Sequence, residues 1–86
     1  MQHTKTITLA DGRKLVIDLN KMTMREWKAL FDPKQPDEDE SSTLAKVAGM
    51  PLAEFELLGF ADSKKLATAI VQFAVAYSKD LHENPT

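Results

Sequence analysis

The side chains that most readily carry chemistry in this 86-residue chain are His3, His82 and the carboxylate run Asp37-Glu38-Asp39-Glu40. A histidine titrates near neutral pH and can serve as a general base or a metal ligand. His3 and His82 sit near opposite ends of the chain, and neither has acids around it at metal-ligand spacing. The acidic run is dense enough to attract a cation, but it lacks the alternating ligands and central glycine of a calcium loop. It reads as a solvated segment. There is no cysteine, so thiolate nucleophiles, thiolate metal sites and disulfides are excluded. Gly12, Gly49 and Gly59 punctuate turns and helix ends and form no phosphate-cradling loop. No catalytic, cofactor-binding or metal-binding residue is expected, and the function to look for is non-enzymatic binding.

Charge narrows the partner. Residues 1–32 carry a net +2, residues 33–42 a net −3 and residues 43–86 a net −1, so the chain totals −2. No stretch concentrates the positive field that nucleic-acid binding requires. The N-terminal MQHTKTITL lacks the apolar run of a signal peptide, and nothing approaches the ~18 apolar residues of a membrane span. An intracellular, reducing location is expected, with neither nucleic acid nor membrane as partner. The length allows one domain, residues 1–86. A domain this small gains stability by mass action when it oligomerises or binds a partner.

The elements follow from period and punctuation. TITLADGRKLVIDL predicts a β-hairpin over residues 5–19, turning at Asp11-Gly12. A three-residue loop, Ala10 to Gly12 with Gly12 left-handed, sets Ile7 opposite Leu15 and Lys5 opposite Ile17, gathering Ile7, Leu9, Leu15 and Ile17 on one face. A two-residue turn would set Ile7 opposite Val16 and spoil that face. Thr23 and Glu26 form a capping box that opens a helix over 23–32, with Met24, Trp27, Leu30 and Phe31 at helical spacing, stopped by Asp32-Pro33. Residues 33–42 (PKQPDEDESS) predict an exposed acidic loop. The region 43–82 predicts helices: one capped by Ser42 or Thr43 and ended by Gly49, one opening at Pro51 and closing at Gly59, and a long one capped by Asp62 and running from Ser63 to about Leu81, before Asn84-Pro85. The fold class is α+β, an N-terminal hairpin packed on a mainly helical body of three to four helices.

The helices carry more apolar surface than one core needs. At ~100° per residue, Leu52, Phe55 and Leu58 make one stripe of the short helix, and Leu57 stands well off it. On the long helix Leu66, Ala69, Ile70, Phe73, Tyr77 and Leu81 make a core stripe. Val71 and Val75 form a second line, joined to the first through Ala67 and Ala74. Either the long helix is central and covered on both sides, or the surplus waits for a partner. The candidate partner-binding residues are Trp27, Met50, Leu52, Phe55, Leu57, Leu58, Val71 and Val75, with Met24 able to join their groove. A helix-turn-helix reading of SSTLAKVAGMPLAEFELLG makes Pro51 to Leu58 the recognition helix. That helix holds Glu54 and Glu56 and no Lys, Arg, Asn or Gln to contact bases.

The order of these features resembles the tail assembly chaperones of long-tailed bacteriophages: hairpin, MTMREWKALF, acidic segment, then LAKVAGMPLAEFELLGFADSKKLATAIVQF. The matching residues are Leu44, Val47, Gly49, Met50, Glu54, Leu57, Leu58, Asp62, Leu66, Ile70 and Phe73, and the likeness runs from about Ile7 to Phe73. The motifs are helix punctuation and apolar spacing. The resemblance implies a protein without cofactor that binds the long, mostly helical tape measure protein and keeps it soluble until the tail tube forms. It implies a place in the host cytoplasm and absence from the finished virion. The tail tube protein is a second candidate partner, and self-association through the same apolar surfaces is expected. The alternatives are a small helix-turn-helix DNA-binding regulator and an unrelated protein–protein adaptor.

Overall fold

Alternation of side chains makes the N-terminal segment a hairpin, and one left-handed glycine sets its register. The computed structural model describes residues 2–83, without the side chains of Asp37, His82 and Glu83. Strand β1 (Thr4–Thr8) runs antiparallel to β2 (Lys14–Asp18), with Ile7 opposite Leu15 and Lys5 opposite Ile17. The Leu9 N–H donates to the Arg13 carbonyl at 2.8 Å and the Gly12 N–H donates to the Leu9 carbonyl at 3.0 Å. Gly12 has φ +91°, so the loop is the three-residue one. Ile7, Leu9 and Ile17 are buried on one face, while Thr6, Thr8, Lys14 and Val16 face away into solvent.

A 3₁₀ turn (Leu19–Lys21) leads into α1 (Met24–Ala29), which opens with both halves of the Thr23–Glu26 capping box in place. The helix ends sooner than Asp32-Pro33 alone implies. Phe31 and Asp32 donate to carbonyls three residues back, at 3.2 and 3.1 Å, so the chain tightens into 3₁₀ geometry after Ala29.

The acidic loop expected over 33–42 is a correction. Only its first part is a loop, because α2 spans Asp37–Ala48. Pro36, with φ −61° and ψ 142°, sits at the N-cap, and its carbonyl accepts from the Asp39 and Glu40 N–H groups at 3.1 and 3.3 Å. Four acids that repel one another in a loop are favourable in a first helical turn, where unpaired N–H groups and the helix dipole attract negative charge. Thr43, expected as a cap, is buried in mid-helix and donates its hydroxyl to the Asp39 carbonyl at 3.1 Å. Gly49 ends α2 in the left-handed region at φ +74°, and the Met50 N–H returns to the Ala45 carbonyl at 3.0 Å.

The short helix α3 covers five residues, Leu52–Glu56, with Pro51 outside it as the N-cap and an end three residues before Gly59. Helix α4 (Phe60–Glu83) starts two residues before Asp62, since the Ser63 N–H already donates to the Gly59 carbonyl at 2.9 Å. Asp62 is therefore no cap. Its carboxylate accepts the Ala10 N–H at 3.0 Å, and one helical step on, Lys65 Nζ donates to the Thr8 carbonyl at 2.7 Å. These two bonds latch the hairpin loop to the start of α4. The Asn84-Pro85 stop lies outside the described residues.

The hub of this α+β fold is α2, which packs on β2, the 3₁₀ turn, α3 and α4, whereas α4 meets α2 and β1. Ile17, Val47, Leu66 and Ile70 are the most fully buried large side chains. Among the described residues no helix is long and apolar enough to cross a membrane. A Cβ on Gly49 would meet Lys21 Nζ and the Val16 carbonyl only at ordinary contact distances of 3.6 and 3.9 Å. The cost of Gly49→Ala is then the left-handed backbone alone, about 1–2 kcal/mol in urea unfolding, and Gly49→Asn should recover part of it.

Candidate functional site

The eight candidate partner residues separate into core and surface. Met50 and Phe55 are each only 7% exposed and belong to the core, which corrects their expected role at a partner surface. The Gly49 turn folds α3 back against α2, so the Leu52–Phe55–Leu58 stripe faces inward. Leu52 and Leu58 are half-buried against that same core. Leu57, off the stripe, is 85% exposed, and Val75 is 53% exposed, with Val71 half-buried beside it on α4.

Trp27 marks the place where α1 meets the C-terminal half of α4. Between them runs a groove of about 180 Å³, with Leu19, Met22, Met24 and Trp27 on one wall and Ala74, Tyr77 and Leu81 on the other. Asn20, Thr23 and Ser78 give it a polar edge. Met24 is 65% and Leu81 48% exposed. The Phe31 ring meets Trp27 edge-on at 4.8 Å and is itself exposed, so the apolar surface continues past the groove into the turn that follows α1. Sequence reasoning misses Phe31, Tyr77 and Leu81 here. Their signal is that Met24, Trp27 and Phe31 recur at i, i+3, i+7 on a helix too short to be clasped on two sides. Leu81 is also a correction, since it continues the core stripe by spacing and yet extends past the elements that would cover it.

The side chains with potential for chemistry do not converge. His3 Nε2 lies 3.7 Å from an Asp18 carboxylate oxygen, and the side chain of His82 is outside the described residues. Among the described residues no three His, Cys, Asp or Glu side chains are grouped to hold a metal ion. The helix expected to read DNA in a helix-turn-helix, α3, exposes Ala53, Glu54 and Glu56.

One polar clasp positions the groove wall. Helix α1 has no fully buried residue, so packing alone holds it loosely. Glu26 closes the capping box from its N3 position and also receives Lys46 Nζ of α2 at 2.7 Å on both carboxylate oxygens. The Thr43 hydroxyl approaches the same carboxylate at 3.5 Å. The Lys46 hydrogen bond, followed by the Thr23 N–H, holds the Glu26 carboxyl below its ordinary value of 4.5. A carboxylate lowered in the folded state contributes fully above its unfolded value, and that contribution is lost as pH falls through the lowered one. Because Lys46 is half exposed, Lys46→Ala should cost only about 0.5–1 kcal/mol. Acidification from neutrality to below 4.5 should red-shift the fluorescence of Trp27, the single tryptophan, and Glu26→Gln should show the shifted emission already at neutral pH. An emission maximum unchanged by Glu26→Gln would remove the clasp from the account.

No protein-family model, curated protein or solved structure matches this chain.

Proposed function

We infer that this protein is a tail assembly chaperone of a long-tailed phage or prophage, a non-enzymatic binder that keeps the tape measure protein soluble until the tail tube is built around it. The observation that carries this reading is the open groove between α1 and α4, walled by Met24, Trp27, Tyr77 and Leu81. It joins the resemblance in motif order to a surface suited to such a client.

An amphipathic client helix presents apolar anchors at i, i+3 or i+4, and i+7, and docks them into a groove of this kind. Methionine walls suit a client whose apolar face varies along its length, because the side chain is unbranched and readily repacked. Burying ~300 Å² of apolar surface here contributes on the order of 7 kcal/mol before association costs, enough for reversible capture and too little for a permanent complex. Leu57 and Val75, outside the groove, add further exposed apolar side chains. On this reading the protein works in the host cytoplasm, is absent from the mature virion, and has the tail tube protein as a second partner.

The helix-turn-helix regulator has less support, because α3 spans five residues and its exposed acids would face phosphates. A general protein–protein adaptor is separated by its client. Co-expression with the tape measure protein of the same genome should raise that protein's soluble yield severalfold. Met24→Asp with Leu81→Asp, both at exposed positions, should abolish the gain and leave the circular-dichroism spectrum intact. An unchanged yield with the unmodified protein would reject the reading.

A further inference from the structure

A second apolar line on α4 has a symmetry that a client does not need. Steps of four and three residues along the helix pick out Phe60, Lys64, Ala67, Val71, Ala74, Ser78 and Leu81. That spacing is the 3.5-residue period of a helix–helix seam. At 100° per residue the line lies roughly 100° around α4 from the buried Leu66–Ile70–Phe73 line, at the edge of the core. Phe60, Lys64, Ser78 and Leu81 are exposed, Ala67 and Val71 half-buried, and Ala74 is buried at the floor of the groove beside α1. Read from either end it gives large apolar, polar, small, then Val71, then small, polar, large apolar. Phe60 mirrors Leu81, Lys64 mirrors Ser78, and Ala67 mirrors Ala74.

We propose that α4 pairs with α4 of a second copy of this chain as an antiparallel, two-fold dimer centred on Val71. A two-fold contact is self-complementary, so the surface must match its own reversed image, and this line does. The relief of the surface fits the same register. At mid-helix a shallow depression of about 420 Å³, lined by Lys64, Ala67, Thr68, Val71 and Gln72, faces the symmetry axis and receives Val71 of the second copy. At the far end the groove beside Leu81, floored by Ala74, lies where Phe60 of the second copy arrives. Phe60 is 79% exposed, with Lys64 Nζ 5.5 Å from the centre of its ring. The positions flanking the line within the dimer, Ala61, Thr68 and Val75 on one side and Ser63 and Tyr77 on the other, carry no charge, and Ile70 between the last two is buried within its own subunit. Lys64 itself meets Ser78, so no like charges oppose the pairing.

Of the line itself only Phe60 and Leu81 expose large apolar surface, at 79% and 48%, so the pairing buries less than the ~1,200 Å² of a standard stable interface. The dimer is therefore weak and reversible. Phe60 of the second copy and a client helix occupy the same groove, so a client displaces the dimer. The pairing itself stands without any client and is tested without one.

Sedimentation equilibrium of the purified chain should show the mass rising from 9.6 kDa toward twice that value, with a Kd on the order of 10–100 µM. Val71→Glu sets two carboxylates face to face on the axis and should hold the protein monomeric with its circular dichroism unchanged. Since the chain lacks cysteine, cross-linking reads the register directly. Under mild oxidation Val71→Cys should give a disulfide-linked dimer. Lys64→Cys and Ser78→Cys should each stay uncross-linked alone and link to one another when mixed. A monomer at concentrations about tenfold above that Kd range, a mass that climbs past two copies, or Lys64→Cys linking to itself would each overturn the proposal.

Discussion

The constraint on which the structure depends is the mismatch between one long helix and the little chain left to cover it. Helix α4 has 24 residues, a rod of about 36 Å at 1.5 Å per residue. The hairpin and α2 have apolar faces of their own to bury, and they meet at α2, which sits at the hub. Leu66, Ile70 and Phe73 therefore find cover, whereas Val75 and Leu81 do not. A small domain cannot hide every side of such a helix, and the side left bare is where its function is to be sought.

Polar contacts decide how that bare side is shaped. The Asp62 and Lys65 bonds fix the hairpin loop to the N-terminal end of α4, so β1 covers one flank and leaves the other open. At the opposite end Glu26 serves α1 twice, as the returning half of its cap and as the partner of Lys46 on α2. Through that carboxylate the hub sets how far Met24 and Trp27 stand from Tyr77 and Leu81. The groove is a consequence of where α1 is held: Trp27 and Leu30 pack half-buried against the core, and the Glu26–Lys46 pair adds a polar clasp to that packing.

Much of this was legible in the residues, and the failures have physical causes. The hairpin register followed from side-chain alternation and a glycine able to take φ +91°, and the Thr23–Glu26 box and the Gly49 stop are local devices whose geometry depends on few neighbours. Residues 37–42 misled because acids weaken a loop and a helix interior alike, yet stabilise a helix at its first turn, and only the position of Pro36 distinguishes these cases. Asp62 looked like a cap because its reach across 52 residues to Ala10 is tertiary. Met50 and Phe55 matched a partner surface by type, but burial depends on which way the chain turns at Gly49. Leu57 and Val75 were separable from the core by angle alone, and they are exposed.

The most direct test of the claim that this bare flank is a binding surface is a methyl-resolved NMR titration of the full chain with segments of its proposed client, a tape measure protein. The account predicts that shifts and line broadening concentrate on Met24, Leu81 and Val75, with the core methyl groups of Ile17, Val47 and Ile70 unmoved. Spectra that no segment perturbs, or changes gathered around α3 when duplex DNA is added instead, would contradict it.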